Sequence, residues 1–160
     1  MEEIIAALKA PPKVPVERTY SLEEVKADPK LSEFMTGVEV KSISFDFDSS
    51  EVEGEKVPAL GNLGAAVKQI LKERPKEVFF IEGHADAPGT EAYNLALSTK
   101  RAMMIRKALI NGFGVPADNI IVAGYGEQNL KVQDSGPREE NRRVAIRCLS
   151  PMLEEKTAAQ

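Results

Sequence analysis

The sequence predicts an α/β fold, an α+β sandwich in which a mixed sheet carries helices in the order βαβαβ, then a loop and a last strand. Three observations carry that expectation. Val38 to Phe47 alternates apolar and polar side chains, the period of a half-buried strand. Val78-Phe79-Phe80-Ile81 is an unbroken apolar run, as in a strand covered on both faces. Leu60, Leu63, Val67, Ile70 and Leu71 recur at helical spacing. A chain of 160 residues is long enough for one compact domain with a core and short for two.

Taken in order, residues 1–37 read as an N-terminal arm. Glu2 to Ala10 is helix-capable, with Ile4, Ile5 and Leu8 on one face, and Pro11-Pro12-Lys13-Val14-Pro15 is stiff and extended. Ser21-Leu22-Glu23-Glu24 has the form of a capping box, and a further short helix fits within Pro29 to Met35. The arm is expected to pack on, or tether, a main domain over residues 38–150. Within that domain Pro75 ends the first helix, and a second helix fits Glu91 to Asn111, with Gly112 and Gly114 as terminators. Asn119 to Ala123 makes a third strand and Arg142 to Leu149 a fourth. Gly124 to Asn141 between them is polar, glycine-bearing and mostly loop. Residues 151–160 read as a flexible C-terminal tail.

Charge and composition exclude several function classes. The chain has 21 Lys+Arg against 25 Asp+Glu, a net charge of −4, which argues against duplex nucleic acid and anionic membrane surfaces as partners. No apolar run approaches the ~20 residues of a membrane-spanning helix. Cys148, the single cysteine, lies in a strand pattern and reads as a small apolar core residue. Met1-Glu2-Glu3-Ile4 lacks the basic start and apolar stretch of a secretory signal, so an exported protein would have its address outside this chain.

Chemistry-bearing residues concentrate in Glu82-Gly83-His84-Ala85-Asp86-Ala87-Pro88-Gly89-Thr90, where the central strand gives way to the second helix. Open α/β sheets bind ligands beyond such strand ends. Two readings of Asp86 stand: it projects from a rigid turn toward a ligand, or it only caps the helix or bonds the turn's own amides. Asn94, Leu97, Ser98 and Arg101 share one face of that helix. Asp86 and Arg101 then offer opposite charges to a zwitterion, the carboxylate taking an ammonium and the guanidinium gripping a carboxylate. A plain salt bridge or a solvated Arg101 is the bland alternative. Glu82, His84 and Asp86 alternate and invite a hydrolytic or metal-site reading. His84 is the only histidine, however, and no nucleophile motif accompanies it, so neither enzyme activity nor a metal is expected. Gly124-Tyr125-Gly126 lacks the third glycine and following helix of a dinucleotide site. No cofactor is expected.

Five blocks in order carry a resemblance: Phe45-Asp46-Phe47-Asp48, Glu82 to Gly89, Tyr93 to Ala102, Gly124-Tyr125-Gly126-Glu127 and Asn141-Arg142-Arg143-Val144. Over Ile43 to Leu149 the chain resembles the OmpA-like peptidoglycan-binding domains of bacterial envelopes. The resemblance implies a βαβαβ-type sandwich that binds, without cleaving it, the diaminopimelate-containing stem peptide of peptidoglycan. It implies that Asp86 engages the diaminopimelate ammonium and Arg101 its carboxylate. Asn94 and Leu97 would line the groove, and Phe47 and Asp48 would form its other wall. Arg142 would either touch the ligand or hold the loop. Ala85 stands where the family usually has threonine, so weaker binding or a rearranged contact is implied. The implied setting is the periplasm of a Gram-negative cell, with an outer-membrane or other envelope component tethered to the wall. The alternative is an envelope protein-interaction module that keeps the fold without binding peptidoglycan.

Overall fold

The structure, a computed structural model, describes residues 2–15, 18–39, 57–136 and 141–153, with 57–59 as backbone only. Its elements are α1 (Glu2–Lys9), α2 (Leu22–Ala27), β1 (Val38–Glu39), α3 (Val57–Glu73), β2 (Phe79–His84), α4 (Glu91–Phe113), β3 (Ile120–Gly124) and β4 (Arg143–Cys148). The expected first strand is described only over Val38–Glu39; its remainder, including Phe47 and Asp48, lies outside the described residues.

The sheet is mixed, in the order β1-β4-β2-β3. β2 and β3 run parallel, with Phe79 opposite Ile120 and Gly83 opposite Gly124. A parallel pair needs a long crossover, and α4 supplies it. β4 runs antiparallel to both neighbours, with His84 opposite Arg143 and Val38 opposite Ile146. The last strand in sequence is thus an interior one, flanked by β1 and β2.

Alternation along the strands sends two sets of side chains to two cores. Phe79, Ile81, Val144, Ile146 and Cys148 face α3 and α4, where Leu63, Val67, Ile70, Ile105 and Leu109 meet them. Leu8 of α1 is fully buried in this same cluster. Burial pushes the Cys148 thiol pKa up, consistent with an inert core residue. On the opposite face, Phe80, Tyr125, Leu149 and Met152 pack with Val25 of α2 and with Met35. The arm therefore supplies apolar side chains to both faces of the sheet. Met152 and Leu153, expected in the tail, are part of this packing. Met152 and Leu153 are buried, and the Tyr20 amide donates to the Met152 carbonyl. Apolar side chains at 152 and 153 hold the chain down before the charged Glu154-Glu155.

The helix ends follow local chemistry. The Ser21–Glu24 capping box forms at α2. α4 runs on to Phe113, past the expected stop. Gly112 lies inside it, and Gly114, at φ 67°, takes the left-handed turn that ends it. Among the described residues no helix is long and apolar enough to cross a membrane.

Candidate ligand-binding site

The candidate site is the turn between β2 and α4, together with the loop after β3 and the entry to β4. β2 ends at His84, and the parallel ladder is extended by two backbone bonds. The Tyr125 amide donates to the Gly83 carbonyl at 3.0 Å and the Ala85 amide to the Gly126 carbonyl at 2.8 Å. Asp86 is therefore not on the strand with Glu82 and His84. It leaves from a turn pinned to the neighbouring loop.

The helix start is capped by Thr90, whose hydroxyl oxygen accepts from the Tyr93 amide at 3.1 Å. The N-cap of α4 is therefore Thr90 and not Asp86. Gly89 lies in the left-handed region at φ 99°, where a side chain would strain the turn. Asn94, one turn into α4, is buried and spends its side-chain amide on the turn itself. It donates to the carbonyls of Asp86 (3.2 Å) and Pro88 (2.9 Å) and to Glu127 Oε1 (3.3 Å). Asn94 thus fixes the turn and the β3 loop in one step, a positioning task. Glu127, at the end of the Gly124-Tyr125-Gly126-Glu127 block, joins the site through this contact.

The close approach of α4 to the sheet depends on Gly83. A Cβ there would lie 1.9 Å from the Ser98 carbonyl oxygen. The Ser98 hydroxyl donates to the Leu95 carbonyl and accepts from the Gly126 amide, both within 2.9 Å, stitching helix to loop. Arg101 lies on the same helical face and is 0% exposed, which removes the solvated-arginine reading. Leu97 is half-buried on that face, and Ala85 is buried.

Asp86, 3% exposed as a residue, is ion-paired. Arg142 Nη1 stands 2.8 Å from its Oδ2. Arg142 is placed by its neighbours. The Asn141 side chain both accepts from and donates to the Val132 backbone at 2.8 Å, and Arg143 opens β4. The structure thus joins Asp86 with Arg142 and Asn94 directly, and holds Arg101 in the adjacent helix face.

On the sheet face turned toward the arm, His84 lies 3.7 Å from Glu82 and packs at a tilt against Tyr125, with ring centroids 5.6 Å apart and planes at 39°. Burial pushes the His84 pKa below its ordinary value. Contact with Glu82 opposes that fall, and the charges of Arg143 and Arg147 add to it. Burial alone would raise the Glu82 carboxyl, but His84, Arg147 and Ser32 together hold it below its ordinary value. The pair at neutral pH is a carboxylate beside a neutral imidazole. Among the described residues no group of three or more His, Cys, Asp or Glu side chains is placed to hold a metal ion.

Residues 44–143 match the OmpA family. The chain belongs to the OmpA family. It is 37% identical to outer membrane porin F of Pseudomonas aeruginosa over 105 residues, covering 64% of this chain and 29% of the porin. It is 32% identical to the peptidoglycan-associated lipoprotein of Pasteurella multocida over 107 residues, covering 66% of this chain and 68% of the lipoprotein. Among solved structures, the peptidoglycan-associated lipoprotein from Burkholderia pseudomallei is similar with a TM-score of 0.56 and 29% identity, covering 76% of this chain and 96% of that one. The chain thus spans less than a third of the porin and about two thirds of the Pasteurella lipoprotein.

Proposed function

We propose that this chain binds peptidoglycan without cleaving it, through the diaminopimelate of the stem peptide. In the cell it would tether an envelope component to the wall from the periplasm. The observation that carries this reading is the buried Asp86 in the turn before α4, paired with Arg142 and fixed by Asn94 of that helix. Membership of the OmpA family supports it, as do relatives named for association with peptidoglycan. In the bound state Asp86 takes the ligand ammonium and Arg101 its carboxylate, while Asn94 holds the turn and Leu97 supplies apolar surface. Phe47 and Asp48 are proposed for the other wall. A single contact of this kind is modest, and a polymeric wall adds avidity through repetition.

The test is calorimetric titration with a diaminopimelate stem peptide and its lysine counterpart, using wild type, Asp86→Asn, Arg101→Met and Arg101→Lys. Binding that the Asp86 and Arg101→Met variants lose while folded, with the lysine peptide weaker, supports the reading. Folded wild type that ignores both peptides overturns it and leaves an envelope interaction module.

A further inference from the structure

Tyr93 is 45% exposed, and among the described residues it is the one aromatic side chain left open to solvent. Its backbone is fixed in the first turn of α4, where its amide donates to the Thr90 hydroxyl oxygen at 3.1 Å. Helical side chains lean toward the helix N-terminus, which carries this ring back over the β2–α4 turn. Gly89 of that turn lies beside it: a Cβ built there would stand 3.6 Å from Tyr93 Cδ2. Gly89 at i−4 and Ala96 at i+3 are both too small to cover the ring. Leu97 follows Tyr93 at i+4, so the exposed ring and the proposed groove share one flank of the helix.

An open aromatic ring beside a polar turn suits a ligand with an apolar C–H face and a hydroxylated edge. A pyranose has that character: its C–H face packs on the aromatic ring while the tyrosine hydroxyl stays in water. We propose that Tyr93 is a sugar-stacking residue that seats the N-acetylmuramoyl ring from which a stem peptide hangs. This inference rests on the function proposed above and extends the site from the peptide to the glycan. The lengths agree. Gly89 is three residues from Asp86, at most about 11 Å of backbone. Two stem residues, about 7 Å when extended, lie between diaminopimelate and the lactyl group of the sugar. A muropeptide anchored at Asp86 therefore brings its sugar to the level of Tyr93. The contact favours stem peptides still attached to glycan over released peptide.

The experiment titrates wild type, Tyr93→Ala and Tyr93→Phe, as the full chain, with a diaminopimelate stem peptide and with the same peptide carrying N-acetylmuramic acid. Circular dichroism confirms the fold, and saturation-transfer NMR reads contact with the sugar protons directly. Wild type should bind the muramyl form about fivefold tighter than the bare peptide, the scale of one aromatic stacking contact. Tyr93→Ala should lose that gain and the saturation transfer to the sugar, and bind the bare peptide as wild type does. Tyr93→Phe, which keeps the ring, should retain both. A sugar that adds nothing to wild-type affinity overturns the proposal, as does a gain that survives in Tyr93→Ala. Equal weakening of both ligands by Tyr93→Ala also overturns it, and makes Tyr93 a contact for the peptide or the turn. All three outcomes leave the peptidoglycan reading standing, because wild type still binds the bare peptide. A folded wild type that binds neither ligand removes that reading, and this proposal falls with it.

Discussion

Arg147 holds Glu82 across the β2–β4 ladder: its Nε lies 2.9 and 3.3 Å from the two oxygens of a carboxylate that is 1% exposed. The two residues are diagonal neighbours, since Arg147 stands opposite Phe80 and Glu82 opposite Ala145. The same guanidinium donates through Nη1 to the Met35 carbonyl at 2.6 Å, and Ser32 donates its hydroxyl to Glu82. One buried ion pair thus joins β2, β4 and the arm. Replacing Arg147 by Met leaves Glu82 buried without its counter-charge. The expected cost is about 3–5 kcal/mol, read as a lower urea midpoint. Glu82→Gln in the Arg147→Met background should recover part of it, because the uncompensated charge is gone.

His84 sets a pH dependence of stability. Its folded pKa lies below the ordinary 6.5, so the unfolded chain takes up a proton first as pH falls. Stability from this group is present in full above about 6.5 and declines as pH drops toward the folded value. The slope is at most ~1.4 kcal/mol per pH unit. Glu82, whose folded pKa lies below 4.5, adds a second decline only below that value. Urea unfolding from pH 7.5 to 5 should show the first slope, and His84→Gln should flatten it. An unaltered slope in that variant would contradict the assignment.

Gly83→Ala tests the contact between α4 and the sheet. The new methyl meets a backbone oxygen, which no rotamer change can relieve, so α4 has to lift from β2. The expected loss is about 1–3 kcal/mol, with weaker stem-peptide binding because Asn94 and Arg101 ride on that helix. Thermal melts and titration of the same sample check both.

Ser98→Ala removes the acceptor of the buried Gly126 amide while leaving the helix backbone intact. A cost of roughly 1–3 kcal/mol is expected, and faster hydrogen exchange should appear at Gly126.

Leu8→Ala addresses the arm. Leu8 is 1% exposed within the helix-side core, so its truncation should cost about 2–5 kcal/mol and lower the melting temperature of the whole domain. A loosely attached arm would show no such effect.

Local pattern announced the local structure. The spacing of Leu60, Leu63, Val67 and Ile70 marks α3, the run ending at Ile81 marks β2, and Ser21-x-x-Glu24 marks the start of α2, because each depends on neighbours along the chain. Strand order depends on pairings between distant segments. Nothing in Val144 to Leu149 says that this strand lies beside both Val38 and Ile81. The site divides the same way. Asp86 and the Asn94–Arg101 face were legible from a turn and a helical period. The bond from Arg142 to Asp86 spans 56 residues and leaves no periodic trace. Thr90 as the cap was obscured because Asp86 offered an equally suitable side chain nearby.

The arm's coverage of both sheet faces bears on where the chain can be cut. Residues 44–143 are the part shared with the OmpA family, yet a fragment trimmed to those limits would lack β1, nearly all of β4, and the arm helices that carry Leu8 and Val25. Phe80 and Tyr125 would face water, and Glu82 would lose both Ser32 and Arg147. A fragment of residues 44–143 is therefore expected to be less stable than one reaching from α1 to Leu153.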